Sequence, residues 1–250
     1  MSLSVAIRSF NGESRFEKVL QSLNGLADEI VIVDSGSTDD TCEIAKRYNA
    51  KIVIHQWEGF IAQANFAFDL CEKEWIFLLD QDEVVTEELK INILSELENP
   101  RFNGYEVCRQ SVYLGRRLKH IWYPDWVIRI GKKSANARCV GNEPHEVMAI
   151  DGAIGKIKGN LDHYSYANLN EHFTKLISYS QIGAKSYFKR GKRASLLSLL
   201  FRPIWGFFKA YLLKRGFLDG AAGLIAAFSS SIHIFLKYAT LYELNMKEKG

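Results

Sequence analysis

Four short apolar runs, each leading toward a stretch of helical periodicity, occupy the first hundred residues and leave few folds open. "LSVAI" (3–7), "EIVIVD" (29–34), "KIVIH" (51–55) and "WIFLLD" (75–80) are apolar or β-branched on both faces. After the first, Phe16, Val19, Leu20 and Leu23 recur at helical spacing, and Gly25 ends the pattern. In "STDD" (37–40) a cap residue stands three positions before an acid, the capping-box signature of a helix start. A further helix is expected from about Phe60 to Cys71, and another from Thr86, where Glu87 and Glu88 suit the first-turn dipole. Strands apolar on both faces need cover on both, and strands alternating with helices form a parallel sheet. The expected fold class is therefore α/β with a mainly parallel central sheet. No GxGxxG follows the first strand and no GxxxxGK[ST] occurs, so a dinucleotide fold or P-loop has no support.

Open parallel sheets bind ligands beyond the carboxyl ends of their strands. Asp34 and Asp80 each end such a run, and Asp80 is followed by Gln81, Asp82 and Glu83. Clustered carboxylates repel one another unless positive charge sits among them. A hard divalent cation, Mg²⁺ or Mn²⁺, answers that need and leaves room for substrate phosphates. The plainer alternative is a solvated acidic loop, but the exit from a buried strand beside Asp34 favours a metal–diphosphate site.

The chain has 250 residues, 47% hydrophobic and 24% charged, the composition of a folded protein. Its four cysteines form no CxxC pair, and the N-terminal apolar segment is short for a secretory signal, so a cytoplasmic location is expected. Charge is unevenly spread. Residues 172–218 hold ten Lys or Arg and no acid, leaving the rest of the chain with 22 basic and 29 acidic residues, a net of −7. From Leu196 to Phe217 those cations are mixed with Leu, Phe, Trp and Tyr, which suits an anionic membrane surface. The run at 221–236 has 16 residues with three serines and a His, shorter than the roughly 20 residues of a spanning helix, so an interfacial or partner-contact role is expected. A helical cap on the catalytic domain is the alternative. No nucleic-acid module is recognised, and nucleic acid is not an expected partner.

"VDSGSTDDT" (33–41) resembles the nucleotide-binding signature of family 2 glycosyltransferases, and "DQDE" (80–83) resembles their DxD motif. The resemblance continues through "EGFIAQANFA" (58–67), "GRRLKHIWYPDWVIRI" (115–130), "PHE" (144–146), "LDHYSYANL" (161–169) and 202–228, and is similar to the lipopolysaccharide core-biosynthesis β-glucosyltransferase subgroup. It implies a GT-A nucleotide-diphospho-sugar transferase fold and inverting transfer from a UDP-sugar to a glycolipid or saccharide acceptor. The catalytic domain would span 1–170, with a nucleotide half to about 100 and an acceptor half beyond. Residues 171–250 would be helical and membrane-associating, on the cytoplasmic face of an inner membrane.

By the same resemblance Phe10, Asn11 and Glu13 border the nucleotide, Asp34 meets the base or ribose, Asp80 the ribose, diphosphate or metal, and Asp82 the metal. Gln63 and Asn65 match a donor-side motif, while Ala64 stands where the subgroup more often has Lys. "IRSFNGE" departs from the usual pattern and leaves Arg8 and Ser9 without a role. The attacking hydroxyl needs a carboxylate to accept its proton. Glu146 matches the family's position for that base, with Asp125 in "WYPDW" as its rival. His163 matches an extra metal ligand of several GT-A enzymes, although a lone His, His145 included, is commonly structural. Arg129 is a candidate for a ligand phosphate or carboxylate, with a structural salt bridge as the alternative.

Two other functions compete. "DQDEV" also satisfies the DxDx[TV] form of haloacid-dehalogenase-type phosphohydrolases, though there the motif follows the first strand rather than the fourth. The other is a non-catalytic, membrane-bound nucleotide-sugar binder.

Overall fold

The computed structural model describes residues 2–142 and 145–248, the side chains at 142 and 145 excepted. The strands and helices of the first hundred residues follow the periodicity closely. They run β1 Leu3–Ser9, α1 Glu13–Ser22, β2 Glu29–Asp34, α2 Thr41–Lys46, β3 Lys51–Ile54, α3 Phe60–Leu70 and β4 Trp75–Asp80. A short β5, Glu83–Val85, then precedes α4, Glu87–Glu98. Thr86 caps α4 through its side chain, accepting from the Leu89 N–H at 3.3 Å, with Glu87 and Glu88 in the first turn. The capping box anticipated in "STDD" does not form. Helix α2 starts at Thr41 with no side-chain cap bond from Asp40, and Ser37 turns its hydroxyl back to Asp34.

Next come β6 Gly104–Tyr113, β7 Arg116–Arg117, β8 Asp125–Lys132, β9 Arg138–Asn142, β10 His145–Ala149 and β11 Ile154–His163. The main sheet has the order β3-β2-β1-β4-β8-β6-β11-β5, with β7 paired to the end of β6. Its first four strands are mutually parallel, and β8 pairs antiparallel with both β4 and β6. Strands β9 and β10 form a separate antiparallel ribbon. β1 is buried along its whole length, so every one of its side chains must find a partner inside the protein.

The chain divides into two compact units. The first joins the residues up to Gln110 to Asp125–Tyr164, and the second joins Ser111–Pro124 to the C-terminal region from Ser165. The boundary between the units lies at 164/165, where the sequence suggested one near 170, and residues 111–124, read as part of the catalytic domain, group with the helices. The second unit contains α5 Leu169–Lys189, α6 Leu196–Phe208 and α7 Gly220–Lys247. Its core gathers Tyr113, Leu118 and Ile121 against Ala222, Ala226 and Ala227. The apolar run read as 16 residues is thus part of a 28-residue helix.

Candidate active site

Parallel pairing places Arg8, next to last in β1, directly across from Asp80, the last residue of β4. Ser9 likewise faces Asp34. These registers determine what the strand-end acids do. Arg8 donates from Nη2 to Asp80 Oδ1, and from Nη1 to Glu146 Oε1 at 2.9 Å. The other oxygen of Asp80 accepts from Arg129 Nη2 at 2.8 Å, and the same nitrogen donates to Glu83 Oε1 at 2.5 Å. Arg109 Nη1 lies 3.5 Å from Glu83 Oε1, and its Nη2 lies 2.7 Å from Asp125 Oδ2.

The outcome is a continuous chain of alternating charge: Glu146, Arg8, Asp80, Arg129, Glu83, Arg109, Asp125. Both candidate bases belong to it, one at each end. Three guanidinium groups supply the positive charge that the acid cluster demanded, and forked guanidinium geometry suits bridging between carboxylates. Burial alone would raise the pKa of Asp80, but Arg8 and then Arg129 outweigh it and hold that carboxyl well below the usual range. Burial opposes the charges on Arg8 and Arg129, yet their acidic partners raise both pKa values above normal.

Asp82 stands outside this chain. Strand β11 pairs antiparallel with β5 so that His163 opposes Glu83, which brings His163 Nε2 to 3.4 Å from Asp82 Oδ1. Among the described residues no group of three or more His, Cys, Asp or Glu side chains is set to hold a metal ion. A carboxylate and an imidazole at this separation nevertheless fit two protein ligands of a divalent cation whose remaining positions go to water and phosphate oxygens. Asp80, grouped with them on sequence, has an oxygen on each of two arginines instead.

The expected nucleotide-side residues sit at the ends of β1 and β2, but most of their polar atoms are already engaged. Asp34 is fully buried; it accepts from the hydroxyls of Ser9 (2.7 Å) and Ser37 (2.6 Å) and from the backbone N–H groups of Gly36 and Ser37. Asn11, at φ 48°, accepts from the Thr38 N–H at 2.9 Å, and Glu13 accepts from the Asp40 N–H at 3.0 Å. Both thus stitch the loop after β1 to the loop after β2. Phe10 is exposed, and Gln81 holds its backbone by accepting from its N–H and donating to its carbonyl.

Gln63 and Asn65 are internal. Gln63 donates to Ser35 Oγ at 2.8 Å and to the His55 carbonyl, and its Oε1 lies 2.5 Å from His55 Nδ1. Asn65 exchanges two hydrogen bonds with the backbone of Cys139. Helix α3 turns both side chains toward these internal partners. Arg129, for which a ligand contact and a structural salt bridge were both open, is buried and pairs with Asp80 and Glu83. The side chain of His145 lies outside the described residues.

Glu146, on β10, differs from the other acids. One oxygen is held by Arg8 while Oε2 is buried without a hydrogen-bond partner among the described residues. Asp125 is more open, at 42% exposure. Trp126 beside it faces outward, with Lys156 Nζ 4.6 Å from the ring centre, whereas Trp122 donates to Ser230 Oγ at 3.2 Å within the helical unit. Sequence reading missed Arg8, Arg109 and Gln81. An arginine inside a fully apolar strand, flanked by strands ending in Asp, was the available signal for Arg8.

Residues 4–150 match the family described as glycosyl transferase family 2. A glycosyltransferase of Rickettsia typhi is 30% identical over 260 residues, covering 99% of this chain and 89% of the relative. The lipopolysaccharide core biosynthesis glycosyltransferase LpsC of Rhizobium meliloti is 28% identical over 256 residues, covering 97% and 93%. Among solved structures, S. aureus TarS 1-349 in complex with UDP superposes with a TM-score of 0.50 at 15% identity, covering 99% of this chain and 92% of that one. That likeness concerns the fold, which is GT-A.

Proposed function

The chain belongs to glycosyl transferase family 2, and from that premise we propose that it moves glucose from UDP-glucose, with inversion, onto a glycolipid acceptor such as a lipopolysaccharide inner core. The similarity to LpsC supports the acceptor class. The observation that carries the chemistry is Glu146, with one oxygen fixed by Arg8 and the other without a hydrogen-bond partner among the described residues.

Inverting transfer is one in-line displacement. The acceptor hydroxyl attacks the anomeric carbon, the bond from that carbon to the diphosphate oxygen breaks, and the hydroxyl proton passes to Glu146 Oε2. A base must be held in orientation by a third group, and Arg8 does this while itself fixed by Asp80. Asp82 and His163 would hold Mg²⁺ or Mn²⁺, and a bound ion would offset charge on the departing diphosphate. Asp80 serves as the counter-charge that aligns Arg8 and Arg129 rather than as a metal ligand. Phe10, exposed just beyond β1, would cover the nucleotide.

Asp125, paired with Arg109 at the far end of the charge chain, is the alternative base. A phosphohydrolase would need Asp80 as a nucleophile, and both its oxygens are occupied by guanidinium groups.

The test is release of UDP from UDP-glucose in the presence of a glycolipid acceptor and Mn²⁺ or Mg²⁺. Glu146→Gln is expected to retain UDP binding and lose about 10²–10⁴-fold in turnover. Full turnover in Glu146→Gln together with a collapse in Asp125→Asn would transfer the role to Asp125. Asp82→Ala is expected to abolish the Mn²⁺ dependence of UDP affinity in calorimetry, and an unchanged dependence would remove the metal assignment. UDP binding without any turnover by the wild type would favour a binder over an enzyme.

A further inference from the structure

Helix α6 has two apolar faces and only one of them is covered. Inward, Pro203 is buried, its carbonyl accepts from Ser231 Oγ at 2.8 Å, and the Phe207 ring packs tilted against Phe228 of α7, centroids 4.6 Å apart. Gly206 permits this approach, since a Cβ there would stand 2.3 Å from Ile234 Cδ1. Outward, Leu196, Leu200, Ile204 and Phe208 recur four residues apart, with Phe201 and Trp205 beside them, at 41–66% exposure. Four-residue spacing keeps these side chains on one stripe of the helix. Soluble surfaces rarely leave so many large apolar groups contiguous without a partner.

The charges around the stripe identify that partner. Lys192 and Arg193 precede the helix, Lys209, Lys214 and Arg215 follow it, and no acid occurs between 172 and 218. An apolar stripe bracketed by cations, with a Trp among its members, matches the boundary between anionic headgroups and acyl chains.

Two stretches, Leu196–Leu213 and Gly216–Lys247, are long and apolar enough to cross a membrane by length and composition. Tethers at both ends of α6 oppose crossing. Near its start Ala194 N–H donates to Asn245 Oδ1 at 2.8 Å, and Arg193 pairs with Glu248 at 2.7 Å. Beyond its end Asp219 accepts from the backbone N–H groups of Lys119, His120 and Ile121 at 2.9–3.0 Å. Arg202, near the middle, folds over Tyr238 at 4.7 Å and would stand in the hydrocarbon of a spanning helix.

We propose that the outward stripe of α6 lies in the plane of an anionic bilayer surface and anchors the protein there without crossing it. The anchor shares no residue with the charge chain, so it stands or falls apart from the glycosyl-transfer reading. The experiment is co-sedimentation of the full chain with vesicles of phosphatidylethanolamine and phosphatidylglycerol, against phosphatidylcholine alone. Binding is expected to the anionic vesicles, weakened at least tenfold by 0.5 M salt, by Phe201→Asp, and by joint replacement of Lys209, Lys214 and Arg215 with Gln. Circular dichroism would verify that each variant folds. Brominated lipid should quench wild-type fluorescence and lose that component in Trp205→Phe, and an alkaline carbonate wash should release the protein. Glu146→Gln should bind the vesicles as the wild type does. Equal binding to neutral vesicles, unchanged binding in Phe201→Asp, or resistance to the carbonate wash would each overturn the proposal. So would a vesicle-free dimer that Phe201→Asp makes monomeric, with no vesicle binding by the wild type.

Discussion

The two units solve opposite problems. The first takes charged side chains inside and makes them tolerable by pairing, with Glu83 fully buried and Arg8 and Arg129 nearly so. The second places large apolar side chains outside, with no cover from the described residues along one face of α6. In neither does residue type alone predict burial. An ion is tolerated inside when an oppositely charged partner lies within hydrogen-bonding reach, and a hydrophobe is tolerated outside when something other than water awaits it.

Three substitutions would break or sharpen this contrast. The largest effect is expected from Arg129→Met, which leaves Asp80 and Glu83 facing each other without their shared guanidinium. Removing one partner of a buried pair typically costs about 3–5 kcal/mol, measurable by urea denaturation. A cost below about 1 kcal/mol would mean that the chain of charges is not mutually dependent.

Asp219→Asn should follow, and with a pH signature. Burial works against the charge on Asp219, but the backbone N–H groups at 119–121 and His120 hold its carboxyl below the ordinary range. A group with a depressed folded pKa stabilises fully above its unfolded value, near pH 4, and the benefit fades as pH falls toward the folded value. The substitution is therefore expected to cost roughly 1.5–3 kcal/mol at pH 7 and clearly less at pH 3, by thermal denaturation at both. An equal cost at both would attribute the effect to shape rather than charge. Leu200→Ala should change the stability of the lipid-free protein by no more than about 0.5 kcal/mol, because the side chain it shortens is mostly in water. A larger loss in a thermal melt would mean that the stripe is covered after all.

Much of the fold was legible because periodicity is a local property. The strand ends at Asp34 and Asp80, the helix start at Thr86 and the helical start of the 60–71 stretch could all be read within a few residues of where they occur. Side-chain partners were harder to read. Ser37 was read as a cap because its neighbours suited one, but Asp34, three residues back across a turn, took its hydroxyl. Gln63 and Asn65 were read as facing a donor, but their partners, His55, Ser35 and Cys139, arrive from other elements. The acid cluster was recognised as needing positive charge, but the guanidinium groups that meet Asp80 come from Arg8, 72 residues away in sequence, and Arg129, 49 residues away.

By itself the sequence determined the alternation of strands and helices, the acids at the strand exits, the basic character of the C-terminal region and membership of a glycosyltransferase family. Each depends on residue type and near spacing. Only the tertiary structure decided which arginine meets which acid, that Glu146 and Asp125 end one chain of charges, and that α6 turns a second apolar face outward. Those follow from strand register and helix contact between distant segments. A shift of one residue in β1 would move Arg8 to the other face of the sheet and dissolve the arrangement.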